Sequence, residues 1–217
     1  MTKLIAIVGM GEGVAMAIAQ RFGREGFAIA MLARSEAKLQ GYQTQLQAAG
    51  ITAHYFLADA GSASEVKGAI ADLQAQLGTP TVLIYNAAVP RQQSPIDTSV
   101  EDLVGDFQVN VAGALVATQA VLPGMEQAAD PGTIIFTGGG FALYPSPDFA
   151  SLSVGKAGLR SLAHTLAAAL ADRGVRVGMV TIAGTVDPAA AKHNPTAIAE
   201  QYWQFYTDPQ AAIEIVY

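Results

Sequence analysis

The sequence predicts an α/β fold, a doubly wound parallel sheet with helices on both faces. Apolar runs of strand length alternate with longer, helix-periodic segments from one end of the chain to the other, the pattern of successive βα units. Several runs are apolar almost throughout, as parallel strands buried on both faces are. The first run leads straight into a glycine-rich turn that opens a helix.

Taken in order, Leu4 to Val8, Phe27 to Ala33, Thr52 to Ala58, Thr81 to Tyr85, Thr133 to Thr137 and Val175 to Ile182 read as strands. Between them, Val14, Ile18 and Phe22 mark one helical stripe, Leu39 and Leu46 another, and Val66, Ile70, Leu73 and Leu77 a third. Two further helices, from about Leu103 to Leu122 and from about Leu152 to Ala171, are rich in Ala, Leu and Val around most of their circumference. A helix apolar all round is buried on more than one side. One side can meet the sheet and the other a second copy of the chain, so a homodimer or homotetramer is expected. After Asp187-Pro188 comes a polar, alanine-rich stretch holding Trp203, Phe205 and Tyr206, and the chain ends in a strand-like tail, Ile213 to Tyr217. No internal repeat, linker or shift in composition divides the chain.

Composition narrows the function. At 217 residues, against ~150 for a typical domain, one domain over residues 1–217 is expected. The chain is 51% hydrophobic and 14% charged, which excludes disorder. A net charge of −6 with no basic run argues against nucleic acid or an anionic membrane surface as partners. There is no cysteine, and the three histidines, His54, His164 and His193, lie at no metal-ligand spacing, so no metal site is expected. No apolar run approaches the ~18 residues of a membrane span. The run after Lys3 is broken by Gly9, Gly11, Glu12 and Gly13 before it could serve as a signal peptide. A cytoplasmic protein is the expectation.

The first turn reads Gly9-Met10-Gly11-Glu12-Gly13-Val14-Ala15. Glycines there allow a tight turn and close approach of a pyrophosphate, whose charge sits on the helix N-terminus. This is the dinucleotide turn of a Rossmann-type sheet, with Glu12 tolerable near phosphates only if it points to solvent. At the end of the second strand a carboxylate would hold the adenosine ribose and repel a 2′-phosphate. The chain offers Arg34-Ser35 instead, a guanidinium and a hydroxyl suited to that phosphate. NADP(H) is expected over NAD(H).

These features together resemble the short-chain dehydrogenase/reductase family along nearly the whole chain. Gly9 and Gly13 match the first two glycines of its TGxxxGxG turn, with Val8 for Thr and Ala15 for the third glycine. Asp59-Ala60 looks like the acidic position after strand three, and Tyr85-Asn86-Ala87-Ala88 like the NNAG segment with two substitutions. Ala183-Gly184-Thr185, with Val186 following, resembles the PG turn beside the nicotinamide. The resemblance implies a small-molecule substrate and a cofactor site built from these residues together with Gly11, Val14, Arg34 and Ser35.

It also implies a catalytic tetrad, and there the chain departs from the family. Asn110 matches the helix asparagine and Lys156 the lysine of YxxxK. The tyrosine position holds Leu152, and Gly139 stands where the serine belongs. In the family the tyrosine donates a proton, the serine holds the oxygen, and the lysine lowers the tyrosine pKa while gripping the nicotinamide ribose. A positioned acid is worth ~10²–10⁴ in rate, and leucine supplies none of it. Tyr144, in the loop bordering the substrate pocket, is the candidate replacement acid; otherwise it is an aromatic pocket wall. Gly138, Gly139 and Gly140 could offer backbone N–H groups to an oxygen, while Ser153 reads as an ordinary helix residue and His164 as a packing or dimer-contact residue. Two functions remain open: a reductase of a carbonyl, imine or quinone with an atypical acid, or a non-catalytic NADP(H)-binding sensor or structural protein.

Overall fold

Leu4, Ala6 and Val8 face one side of the sheet and Ile5 and Ile7 the other, and all are buried, as the two-residue period of a strand covered on both faces demands. They form β1 (Leu4–Val8) in a computed structural model that describes residues 3–217. The chain continues through α1 (Val14–Arg24), β2 (Ala28–Ala33), α2 (Glu36–Ala48), β3 (Ala53–Leu57), α3 (Ala63–Leu77) and β4 (Val82–Tyr85). Then follow α4 (Val100–Phe107), α5 (Gly113–Gln127), β5 (Gly132–Gly139), α6 (Ala150–Leu170), β6 (Val175–Ile182), α7 (Pro195–Thr207) and β7 (Glu214–Val216).

The seven strands pair in the order β3-β2-β1-β4-β5-β6-β7, every pair parallel. This is the expected Rossmann-like sheet. Residues of α3, α5 and α6 pack one face, including Ile70, Val121 and Leu159. Residues of α1, α2 and α7 pack the other, including Phe22, Leu39 and Tyr202. Strand order reverses between β1 and β4, so the loops leaving them diverge and open a crevice at the carboxyl edge.

Two elements differ from the sequence reading. The helix expected from Leu103 to Leu122 is interrupted: α4 ends at Phe107, a π turn spans Gln108–Ala112, and α5 starts at Gly113. The buried Tyr85 hydroxyl donates to the Val109 carbonyl at 2.5 Å, the acceptor an α-helix would reserve for the Gly113 N–H. That N–H turns instead to Gln108. Nor is α4 apolar all round in its burial. Val100, Val104 and Phe107 are exposed, while its buried residue is Asp106.

The stretch around Trp203 forms α7, capped by Asn194, whose side chain accepts the Ala197 N–H at 2.9 Å, with Pro195 in the first turn. Trp203 and Tyr206 pack against Phe22 and Phe27. The tail adds β7 beside β6, held by Glu214, which accepts from Arg160 Nε at 2.8 Å and Thr181 Oγ1 at 2.7 Å. Among the described residues no helix is long and apolar enough to cross a membrane.

Candidate active site

The crevice holds two adjoining cavities. One of about 470 Å³ runs over the ends of β1, β2 and β3, and one of about 660 Å³ lies over β5 and β6. Asn86, Ala88, Leu152 and Lys156 line both.

At the first cavity, Gly9 takes φ +86°, and a Cβ there would lie 2.3 Å from the Ala87 nitrogen. Only glycine fits. Asn86 clamps the same place, its N–H donating to Val8 O at 2.8 Å and its Nδ2 to Gly9 O at 3.0 Å. Gly11 and Gly13 have nothing within 4 Å of a built Cβ, which leaves open space before α1. No side chain caps α1, no acidic residue lies in its first turn, and Glu12 is exposed. This donor-rich helix end fits a pyrophosphate.

Arg34, Ser35, Asp59 and Ala60 line the far end of the first cavity, as does Lys38, which the sequence reading missed. Ser35 occupies the N-cap position of α2, yet its side chain makes no capping bond, so its hydroxyl is free for a ligand. Arg34 is exposed and lies 3.9 Å from Asp59 Oδ2. Asp59 Oδ1 accepts the Gly61 N–H at 2.8 Å. Arg34 precedes α2 and Lys38 lies in its first turn, and the cavity brings the two cations together.

The second cavity is lined by Val14, Gly184, Thr185 and Val186, with Phe141 and Tyr144 at its aromatic side. Tyr144 is 77% exposed and stands at the lip. Leu152, 9% exposed, lies one helical turn before Lys156, so the two side chains share a face. Lys156 is 8% exposed, donates from Nζ to Thr137 O at 2.7 Å, and has no carboxylate partner among the described ion pairs. Burial alone pushes its pKa down to about 8. A Cβ on Gly139 would sit 3.5 Å from Lys156 Cε, an ordinary contact, whereas one on Gly138 would strike Thr181 Oγ1 at 2.4 Å.

Asn110 lines neither cavity. It is buried, and its Oδ1 accepts the Val89 N–H at 2.8 Å, so it shapes the loop after β4 from behind. Its Nδ2 has no protein partner. Ser153 accepts the Ser146 N–H at 3.1 Å, a structural bond.

A second lock went unnoticed in the sequence. Asp106 on α4 accepts from Arg91 Nε at 2.7 Å and from Ser151 Oγ at 2.6 Å. The Arg91 hydrogen bond is the main reason its carboxyl sits below the usual range, with burial opposing and Ser151 helping. Loop, α4 and the start of α6 are thus joined beside Leu152.

An open crevice at the strand reversal, a helix end suited to pyrophosphate and a buried lysine beyond it define a dinucleotide-dependent oxidoreductase class. The chain belongs to the short chain dehydrogenase family, which it matches over residues 3–197. It is 32% identical over 178 residues to 2-(S)-hydroxypropyl-CoM dehydrogenase 3 of Xanthobacter autotrophicus, covering 82% of this chain and 69% of that one. It is 28% identical over 187 residues to glucose 1-dehydrogenase of Gluconobacter oxydans, covering 86% and 70% respectively. A metagenomic short-chain oxidoreductase solved in complex with NADP superposes with a TM-score of 0.89 at 25% identity, covering 99% of this chain and 96% of that one.

The buried lysine makes a stability prediction. Its folded pKa of about 8 lies below the ordinary lysine value of 10.5, so the charged form is the one folding disfavours. The penalty is full below pH 8 and vanishes as pH rises past 10.5. Lys156→Met should therefore stabilise the ligand-free protein at pH 7 by up to about 3 kcal/mol, with the gain shrinking towards pH 10. Urea unfolding at both pH values checks it.

Proposed function

We propose that this chain is an NADP(H)-dependent oxidoreductase with an altered active site. Asn110 and Lys156 of the family's tetrad are kept, and Gly139 and Leu152 replace its serine and tyrosine. The observation that carries this reading is Lys156, buried at the junction of the two cavities without a counter-ion among the described residues. A cation there is costly, and ribose hydroxyls or a substrate oxygen would take up its remaining N–H groups.

The nicotinamide cofactor, when bound, supplies a hydride to an electrophilic carbon. The chain's own residues do the rest. Gly9, Gly11, Gly13 and the α1 end accommodate the pyrophosphate. Arg34, Ser35 and Lys38 receive a 2′-phosphate, with Asp59, Ala60, Asn86 and Ala87 beside the adenosine half. Lys156, Gly184, Thr185 and Val186 hold the nicotinamide half. Among the residues lining the second cavity, Lys156 carries the only charge, beside Phe141, Tyr144, Leu152 and Ile182. That lining favours a small apolar carbonyl, imine or quinone.

Assembly and location complete the proposal. Exposed Val100, Val104 and Phe107 on α4 and Val154 on α6 favour a homodimer, or a homotetramer containing it. The proposed location is the cytoplasm. Leu152 also favours a second reading, a non-catalytic NADP(H)-binding protein, because it puts a methyl group where a proton donor belongs.

Cofactor choice is tested by fluorescence titration. NADPH should bind at least tenfold more tightly than NADH, and Arg34→Ala with Lys38→Ala should erase most of that difference. Equal affinities in the unmodified protein would show that Asp59 neutralises the site.

Catalysis is tested by restoring the missing groups. The unmodified protein should consume NADPH poorly with simple ketones. Gly139→Ser has room for its Cβ, and Leu152→Tyr would place a phenol beside the Lys156 cation, which lowers its pKa. The double variant should raise ketone reduction by ~10²-fold or more. Binding of NADPH without turnover of any carbonyl, imine or quinone in the unmodified protein would favour the non-catalytic reading.

A further inference from the structure

The missing serine and tyrosine leave a question of proton supply, and the surroundings of Lys156 answer it. Its stem lies against the bare Cα of Gly139, where a built Cβ would touch Cγ, Cδ and Cε at 3.5–3.6 Å. One N–H is spent on Thr137 O at 2.7 Å. An ammonium has three donors, so two remain for whatever enters the crevice. Both cavities reach this side chain.

We propose that the Lys156 ammonium is itself the proton donor to the substrate oxygen, directly or through one water. This rests on the oxidoreductase reading above. The alternatives near it are committed or remote. Ser151 donates to Asp106, and Ser153 is bound to Ser146. Tyr202, behind β5, donates to Thr137 Oγ1 at 2.8 Å and is fully buried. Tyr144 stands at the exposed lip.

The step balances. The acceptor carbon gains a hydride, with its two electrons, from the reduced nicotinamide, which is oxidised. The carbon–oxygen π pair moves onto oxygen and takes a proton as one Lys156 N–H bond breaks and an O–H bond forms. The neutral amine is then reprotonated from water at the cavity mouth. Desolvation favours this release, since it leaves the buried lysine uncharged.

The charged and titratable groups around Lys156 do not substitute for it. On α4, Asp106 is paired with Arg91. On α6 itself, Arg160 and His164 turn to Glu214 of β7. Tyr144 follows β5 at the lip, Tyr202 of α7 lies behind Thr137, and Arg34, Lys38 and Asp59 lie at the far end of the first cavity.

The test has two arms. In ligand-free protein labelled at the lysine ε-carbon, the resonance absent from Lys156→Met should titrate near pH 8. In steady-state reduction of phenanthrenequinone with saturating NADPH, kcat/KM should be level below pH 8 and fall about tenfold per unit above it. Lys156→Arg, whose guanidinium keeps its proton, should lose at least 100-fold and the pH break. A rate that is flat through pH 8, or that survives in Lys156→Arg, overturns the donor assignment and leaves the oxidoreductase reading standing. A titration at or above the ordinary lysine range also overturns it. Absence of turnover by the unmodified protein overturns both. If Lys156→Arg fails to fold, the pH profile and titration of the unmodified protein still decide.

Discussion

The crevice depends on how closely the turn after β1 approaches the end of β4. Gly9 passes so near the backbone of Ala87 that no side chain fits between them, and Asn86 bonds both Val8 and Gly9. This contact fixes the strand reversal at the middle of the sheet. The α1 N-terminus on one side and the β5 and β6 ends on the other are positioned from it. A dinucleotide can then lie across the reversal, with each half in its own cavity.

The lysine side of the crevice is held by a second set of constraints. Asn110 ties the loop after β4 through Val89, and Gly155 lets α6 press onto the π turn, since a Cβ there would meet Asn110 at 2.6 Å. Half-buried Arg91 with buried Asp106 and Ser151 joins the same loop to α4 and α6. Removing Arg91 would leave the Asp106 carboxylate buried with Ser151 as its remaining partner, which costs more than the bond was worth. These contacts make the position of Leu152 and Lys156 a property of the fold. Under the proposed function, the chemistry therefore turns on what the side chains at 139 and 152 can do.

Much of the fold was legible because a strand buried on both faces needs an unbroken apolar run. The spans of β1 and β6 match the sequence reading at both ends. The glycine turn was legible for the same kind of reason, since a position with φ > 0 and no room for a Cβ admits one residue. The π turn was not, because its cause is a hydroxyl on Tyr85, 24 residues from Val109. The Asp106 to Ser151 bond spans 45 residues and looks locally like a charge on a helix surface. Lys38 was visible in the sequence but became a site residue only once the groove showed which face of α2 it occupies. The uncommitted hydroxyl of Ser35 suits a phosphate ligand.

The most direct test of the account is a crystal structure with NADP+ soaked in. The 2′-phosphate should lie among Arg34, Ser35 and Lys38, the pyrophosphate at the α1 N-terminus, and an ordered nicotinamide ribose within hydrogen-bond distance of Lys156 Nζ. The nicotinamide ring would face the cavity lined by Leu152 and Phe141. A cofactor bound outside the crevice, or a Lys156 that makes no contact with it, would contradict the central claim that this buried cation organises the site.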